Sequence, residues 1–301
     1  MADAASADRP LVAARPSLLL RLNAFGVAPS LIIGICLLAA LLLFSVVGHM
    51  VWDTSLADPL SATPNRPPSL GGNPFGTDSQ GRDLLAVMIL GTDLTLKVGV
   101  LSGLMGIVMG TLVGLIAAYY RGVVDLVARW IMDVGLTVPP LLLLVVIASA
   151  FRGQLSSTGM AVVIGSLAWF APARRIRAQA IALRDAGFVL TARLGGMSGF
   201  SIIFREILPN LLPYLSASFV LAVSSAILSA IGLEALGLGP TDEPTLGMTI
   251  YWMLYYTALM RGLWWWILEP IVILAILFVG LFLISSGLDK FANPRLRSRV
   301  S

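Results

Sequence analysis

The chain has 301 residues, 57% of them hydrophobic and only 12% charged, with a mean hydropathy of +0.90. Soluble domains carry about a quarter charged residues, so these values exclude an ordinary soluble fold and define a polytopic membrane protein. The net charge of +4 belongs to loops kept on the cytoplasmic side by helix insertion, which excludes a nucleic-acid surface as its cause.

Residues 1–22 have no strong period and read as a cytoplasmic lead-in. From Asn23 to Trp52 there are thirty residues without Lys, Arg, Asp or Glu, enough for a first span, since about twenty suffice. This run is too long for a secretory signal, and no small-residue cleavage site follows it closely. It holds Cys36, the single cysteine, which excludes an intrachain disulfide, and His49, the single histidine, which reads as an interfacial side chain without companion ligands.

Asp53 to Asp93 is polar-leaning turn material. Pro59, Pro64, Pro67 and Pro68 precede Gly71-Gly72-Asn73-Pro74 and then Phe75-Gly76-Thr77-Asp78 to Gly81-Arg82-Asp83. Five aspartates against Arg66 and Arg82 suit the side opposite the cytoplasm. Val98 to Tyr120 is uncharged and forms span two. Its glycines, Gly99-x3-Gly103 and Gly106-x3-Gly110-x3-Gly114, lie four apart on helix faces and mark close helix contact.

Arg121 to Asp133 reads as a short charged link. Span three is expected over Val134–Phe151, either kinked at Pro139-Pro140 or starting after the pair. Arg152 marks a turn, and Gln154–Ala173 gives span four. Ile207–Leu233 is span five, its Ser216, Ser218, Ser224, Ser225 and Ser229 serving as packing contacts. Pro244–Met260 carries no charge and reads as a partly inserted or re-entrant segment. Span six, Leu263 to about Leu288, opens on Trp264-Trp265-Trp266 and contains Glu269-Pro270, with Glu269 near the membrane surface. Six spans with both termini cytoplasmic put fifteen of the twenty basic residues inside, leaving Arg66, Arg82, Lys97, Arg152 and Arg261 outside.

Between spans four and five lies the segment 171–210, with Arg174, Arg175, Arg177, Arg184, Arg193 and Arg205 against only Asp185 and Glu206. Six arginines at bilayer depth would cost about 15–20 kcal/mol on insertion scales, so this segment lies in water. Arg174 to Ala192 is expected as one helix, with Ile176, Ala180 and Leu183 on one face. Gly195-Gly196 breaks it, and Phe200–Leu208 resumes until Pro209.

No catalytic or nucleotide chemistry is visible. With Lys97 and Lys290 as the only lysines, no GxxxxGK[ST] phosphate loop exists, and there is no HExxH, GxSxG or Cys/His metal spacing. Carboxylates are nearly absent from the span interiors, which argues against an ion relay. A pump with neither must take its energy from a partner, and the 171–210 loop is the surface to receive it.

The loop resembles the signature cytoplasmic loop of bacterial ABC-importer permeases, a Glu-Ala-Ala triplet, three residues, Gly, nine residues, then Ile-x-Leu-Pro. The register places Leu190-Thr191-Ala192 at the triplet, Gly196 at the glycine and Arg205-Glu206-Ile207-Leu208-Pro209-Asn210 at the end. Four further stretches are similar to the second permease of the dipeptide, oligopeptide and nickel branch: Asn73–Asp83, Gly91–Gly99, Leu236-Gly237-Leu238-Gly239-Pro240 and Asn293-Pro294-Arg295-Leu296-Arg297. The resemblance covers residue 20 to the end.

It implies the all-α, six-helix type I importer fold in the bacterial inner membrane. Residues 23–93 would hold the first helix and an extracytoplasmic segment, 94–288 the permease core, and 289–301 a basic cytoplasmic tail. The chain would form a heterodimer with a second homologous permease. Two cytoplasmic ATPase subunits would bind the ATP, none being bound here, and an extracytoplasmic binding protein would deliver small peptides or peptide-like solutes. Leu190, Thr191, Ala192, Arg193, Gly195, Gly196, Arg205, Glu206 and Pro209 would make the ATPase-coupling surface; no catalytic, cofactor or metal residue is implied. Two departures stand out. Leu190 replaces the triplet's glutamate, with Arg193 or Glu206 as substitutes for its charge. Pro244-Thr245-Leu246-Gly247 stands where the pattern has Pro-x-Trp-Gly. The alternative is a carrier driven by an ion gradient, which predicts symmetry between the two halves; none is visible. A membrane enzyme would need an acid, base or metal site.

Overall fold

A computed structural model describes residues 28–69, 71–151 and 155–292. The expected lead-in, Arg152 and the Asn293–Arg297 motif lie outside the described residues. Eleven helices follow in order: α1 (Pro29–Val51), α2 (Leu84–Tyr120), α3 (Gly122–Thr137), α4 (Pro140–Ala150), α5 (Ser157–Leu167), α6 (Phe170–Arg184), α7 (Gly187–Leu194), α8 (Gly199–Ile202), α9 (Leu208–Ala235), α10 (Leu246–Tyr255) and α11 (Trp264–Ala292). A π turn, Ile203–Ile207, joins α8 to α9 without interruption. Among the described residues, α1, α2, the continuous helix Gly199–Ala235 and α11 are long and apolar enough to cross a membrane; the bent pair α3–α4 makes a fifth.

Helix α2 is the axis, and its glycines explain why. The two stripes meet two different neighbours. A Cβ at Gly103 would stand 2.9 Å from the backbone nitrogen of Val223 in α9, while one at Gly114 would stand 2.8 Å from the carbonyl oxygen of Ala173 in α6. Backbone therefore meets backbone on both sides, which lipid, offering no hydrophobic drive for association, cannot supply. The contacts also give direction. Gly99 meets Ile227 and Gly103 meets Val223, so α9 runs antiparallel to α2; Gly106 meets Ala168, Gly110 Pro172 and Gly114 Arg177, so α5–α6 runs parallel to it. Ser102 Oγ donates to the Ala161 carbonyl at 2.9 Å and adds a polar tie between them. On the far side, α1 packs antiparallel on α11, with Gly34 against Ile284 and Gly287 against Leu31.

Several expected boundaries move. Helix α2 begins at Leu84, not Val98: the Asp83 carboxylate caps it by accepting from the Ala86 amide at 3.1 Å. Asp93 and Lys97 therefore belong to the helix. The expected link Arg121–Asp133 is helical, because Arg121 and Gly122, both at positive φ (52° and 62°), complete the turn in two residues. Of the two alternatives at Pro139-Pro140 the structure shows a break: the pair separates α3 from α4 at 81°, with Val138 extended as the residue before a proline must be.

The stretch expected as span four holds α5 plus the first turn of α6, parted at Ala168-Trp169. Pro172 has no N–H, so it sits in the first turn of α6, where none is needed. The single helix expected over Arg174–Ala192 divides at Asp185. Pro209 does not end a helix. The π turn lets the Leu208 N–H reach the Ile203 carbonyl, and Asn210 Nδ2 donates to the Glu206 carbonyl at 2.7 Å, so the chain passes Pro209 and Pro213 as one helix. Residues 244–260 contribute only the ten-residue α10.

Candidate functional site: the 171–210 loop and the Asn73–Asp83 cap

The loop is built by charge pairing on one face and left bare on the other. Helix α6 lays Ala173, Ile176 and Ala180, all fully buried, against the Gly106–Gly114 stripe of α2. Its arginines clamp it in place. Arg177 grips Asp125 of α3 with both Nε and Nη2, the latter at 2.7 Å; the two side chains are 19% and 13% exposed. Arg129 adds to the same carboxylate at 3.3 Å. Burial raises the worth of such a two-pronged pair above that of a surface bridge.

Arg184, 5% exposed, donates from Nη1 to the Ala118 carbonyl at 2.8 Å, and from Nε and Nη2 to Asp185 at 3.1 and 3.0 Å. Arg121 reaches the same aspartate at 3.2 Å. Asp185 is thus tied to the end of α2, which stops α6 and turns the chain into α7.

Helix α7 and its cap hold most of the expected coupling residues. Val189 is fully buried and, with Ala192 and Met197 packed behind it, joins α7 to the cluster around Ile176 and Ile202. The opposite face presents Leu190 at 55% and Leu194 at 82% exposure, and Phe200 of α8 at 66%. Thr191 and Arg193 are exposed beside them.

Gly195 caps the helix, and Gly196 closes it at φ +79°. The Gly196 N–H reaches Arg193 O and the Met197 N–H reaches Ala192 O, each at 3.1 Å, the paired bonds of a helix ended by a left-handed residue. Ser198 starts α8 by accepting from the Ser201 amide at 3.3 Å.

The nine expected residues are therefore not one cluster. Leu190, Thr191, Ala192, Arg193, Gly195 and Gly196 share α7 and its cap; Arg205 and Glu206 lie in the π turn; Pro209 is exposed at the start of α9. Arg193 lies over the Tyr119 ring, 5.8 Å from its centroid, and the outward face around Leu190 is apolar. Sequence reasoning missed Asp125, the aspartate that holds the loop. Its spacing to Arg129 within a stretch taken for a link was the available signal.

At the other end of α2, the Asn73–Asp83 stretch folds into a cap. Asp83 accepts from Trp52 Nε1 at 2.7 Å and Asn73 Nδ2 at 2.9 Å besides capping α2. Asp78, fully buried, accepts from Arg82 Nε at 2.7 Å and from the amides of Gln80 and Arg82 at 2.8 and 2.9 Å. The cap is stitched to the start of α11 by Trp265 Nε1, which donates to Thr77 O at 3.3 Å, and to the preceding loop by Arg261 Nη1, which donates to Ser79 Oγ at 2.9 Å.

The Leu236–Pro240 stretch has a similar part. Gly237, at φ +76°, ends α9, and the chain returns over Glu234, a carboxylate only 1% exposed. A Cβ at Gly247 would collide with that carboxylate, and one at Gly239 would stand 2.6 Å from its Cγ. The departing Pro244–Gly247 stretch is thus a packed one: Leu246 is fully buried and its amide donates to Thr95 Oγ1 of α2 at 3.1 Å. Glu234 went unnoticed in the sequence; the flanking glycines were its only trace. Among the described residues there is no cluster of three or more His, Cys, Asp or Glu side chains suited to a metal ion.

Comparison with known proteins places this architecture. The chain is 29% identical over 268 residues to a dipeptide transport system permease protein, DppC, of Alkalihalophilus pseudofirmus, covering 89% of this chain and 86% of that one. It is 34% identical over 226 residues to a putative peptide transport system permease of Brucella suis, covering 74% of each. To a glutathione transport system permease, GsiD, of Pectobacterium atrosepticum it is 33% identical over 165 residues, 55% of this chain and 54% of that one. A solved chain of the inward-facing MetNI methionine ABC transporter superposes with a TM-score of 0.50 at 20% identity, covering 67% of this chain and 96% of that one, a likeness of fold. The model of the family described as "binding-protein-dependent transport system inner membrane component" matches residues 110–298. The α2–α11 body, with its clamped loop and bare α7, thus belongs to that family of inner-membrane transport permeases.

Proposed function

We propose that this chain is one of two homologous permease subunits of an ATP-driven importer for small peptides or peptide-like solutes, the pair enclosing the path between them. The observation that carries the reading is the two-faced loop. Arginine–aspartate pairs hold α6 to α2 and α3, while the adjoining α7 leaves Leu190 and Leu194 exposed among the described residues. Such a lever is rigid where it meets the spans and open where a neighbour would press. Two cytoplasmic ATPase subunits, one per permease, supply the stroke, and a binding protein delivers cargo at the outer cap. The cargo class is drawn from the relatives' names.

The helix directions support six crossings with both termini cytoplasmic. Because α5–α6 runs parallel to α2, the chain must return between them, and α3–α4, broken at Pro139, is the segment available to do so. On this reading the core runs over 94–288, after a first helix and cap over 23–93, with 171–210 as the coupling loop and 289–301 as a cytoplasmic tail. No cofactor binds to this chain; ATP is bound by the partners.

Reconstitution with both ATPases, the second permease and the binding protein tests the proposal. Peptide uptake and ATP hydrolysis are both expected to depend on the binding protein. Accumulation of solute by this chain alone, driven by an ion gradient, would overturn the reading.

A further inference from the structure

Asp93 and Lys97 lie one turn apart on α2 and are both exposed. Among the described residues neither takes part in an ion pair. Their depth follows from α1. That helix of 23 residues is about 35 Å long, enough for a hydrocarbon core of about 30 Å. Its outer end is fixed against α2, since Gly48 packs on Ile89. Asp93 and Lys97 are four and eight residues further along α2, which places them about 6 and 12 Å deeper, level with the apolar body of α1. The same face of α2 continues through Val100, Leu104 and Val108, each nearly half exposed, into an apolar cavity of about 430 Å³ between α2 and the first half of α9, walled by Leu112, Phe204, Leu212 and Phe219.

Three surroundings are open to a face at that depth: lipid, protein or water. Lipid is excluded by two full charges, which are expensive there and therefore turn towards a bundle interior or an aqueous cavity. The described helices leave both groups exposed. We propose that Asp93 and Lys97 face the translocation path and hold the two charged ends of the cargo in the outer half of the membrane, Lys97 taking the carboxylate and Asp93 the ammonium. The inference rests on the permease reading above. A free peptide is a zwitterion; it supplies an anion to one side chain and a cation to the other, leaving no charge unpaired away from bulk water. The apolar cavity beyond gives its side chains a wall to pass along. No second permease is needed to contribute a matched pair of charges.

The test uses the complete transporter in proteoliposomes, with Cys36→Ser to remove the native thiol. Lys97→Cys and Asp93→Cys are each treated from outside with a charged, membrane-impermeant thiosulfonate. Both are expected to react, and ATP with a dipeptide-loaded binding protein is expected to slow the reaction at least tenfold. In parallel, Lys97→Met and Asp93→Asn are expected to lower dipeptide uptake per ATP hydrolysed at least tenfold. The exchange Asp93→Lys with Lys97→Asp is expected to recover part of the loss.

Cysteines that stay unreactive, or react without regard to cargo, overturn the proposal, as does unchanged uptake in the neutral variants. Loss of assembly with the second permease would assign the two charges to the subunit interface instead. Absence of any binding-protein-dependent uptake by the wild type sinks the permease reading as well, whereas normal wild-type uptake with unreactive cysteines sinks the path assignment alone.

Discussion

The two ends of α2 carry opposite kinds of construction. At the outer end, Asp78 and Asp83 are fully buried and together accept six hydrogen bonds, from backbone and side chains of the cap, Trp52 and α2 itself. At the other end, charge fastens one helix to the next: Arg177 to Asp125, and Arg184 and Arg121 to Asp185. Beyond those clamps α7 is short, ends in a left-handed glycine and shows leucine to the surroundings. On the proposed reading, the difference separates a part that holds the fold from a part that answers to another molecule. Buried polar networks are costly when broken and so rigidify; an exposed apolar face costs the fold little to change and is informative about partners.

That contrast can be broken by substitution, beginning where the loss is largest. Asp83→Ala removes the cap of α2 and orphans Trp52 Nε1 and Asn73 Nδ2, and is expected to cost about 3–4 kcal/mol, read as a lowered denaturation midpoint in detergent. Asp125→Ala leaves Arg177 mostly buried and unpaired, for an expected loss of about 2–3 kcal/mol. Adding Arg177→Met should recover most of it, and a double-mutant cycle would report the coupling directly. If the single and double variants are equally unstable, the pair is not what fastens the loop.

Gly196→Ala sharpens the comparison further. Its Cβ would meet open space, so no clash arises, but the positive φ is expected to cost about 1–2 kcal/mol. The fold should persist while binding-protein-stimulated uptake falls several-fold. The smallest effect on stability belongs to Leu194→Glu. At 82% exposure it should change stability by less than about 0.5 kcal/mol, yet place a charge on an apolar contact. Association with the ATPase subunits is expected to weaken several-fold and to become sensitive to salt. Unchanged association would show that this face is not gripped.

Much of this was legible from local pattern. The glycine spacing in span two announced close packing, and the structure assigns its two stripes to α9 and α6 separately. The break at Gly195-Gly196 stands where it was expected, because a left-handed helix end needs glycine whatever surrounds it. Other features were hidden for a physical reason. Asp125 looked like part of a charged link, since its partner Arg177 is 52 residues away. Pro209 looked like a stop, since a π turn that accommodates it has no sequence pattern of its own. Glu234 looked like loop, because the groups that enclose it, at 239 and 247, are identified only by the side chains they lack. Asp93 and Lys97 looked like outer polar residues until α2 was seen to begin at Leu84.

By itself the sequence determined that the chain is an apolar, multi-span permease with a basic elbow between two of its apolar runs. Composition, run length and charge bias are one-dimensional quantities, and insertion into a bilayer reads them one segment at a time. Only the tertiary structure decided which arginines clamp and which face is bare, where the prolines break the helices, and which charges of α2 are left exposed. These depend on the rotation and depth of each helix against its neighbours, set by backbone-to-backbone contact at glycine, and no single helix carries that information alone.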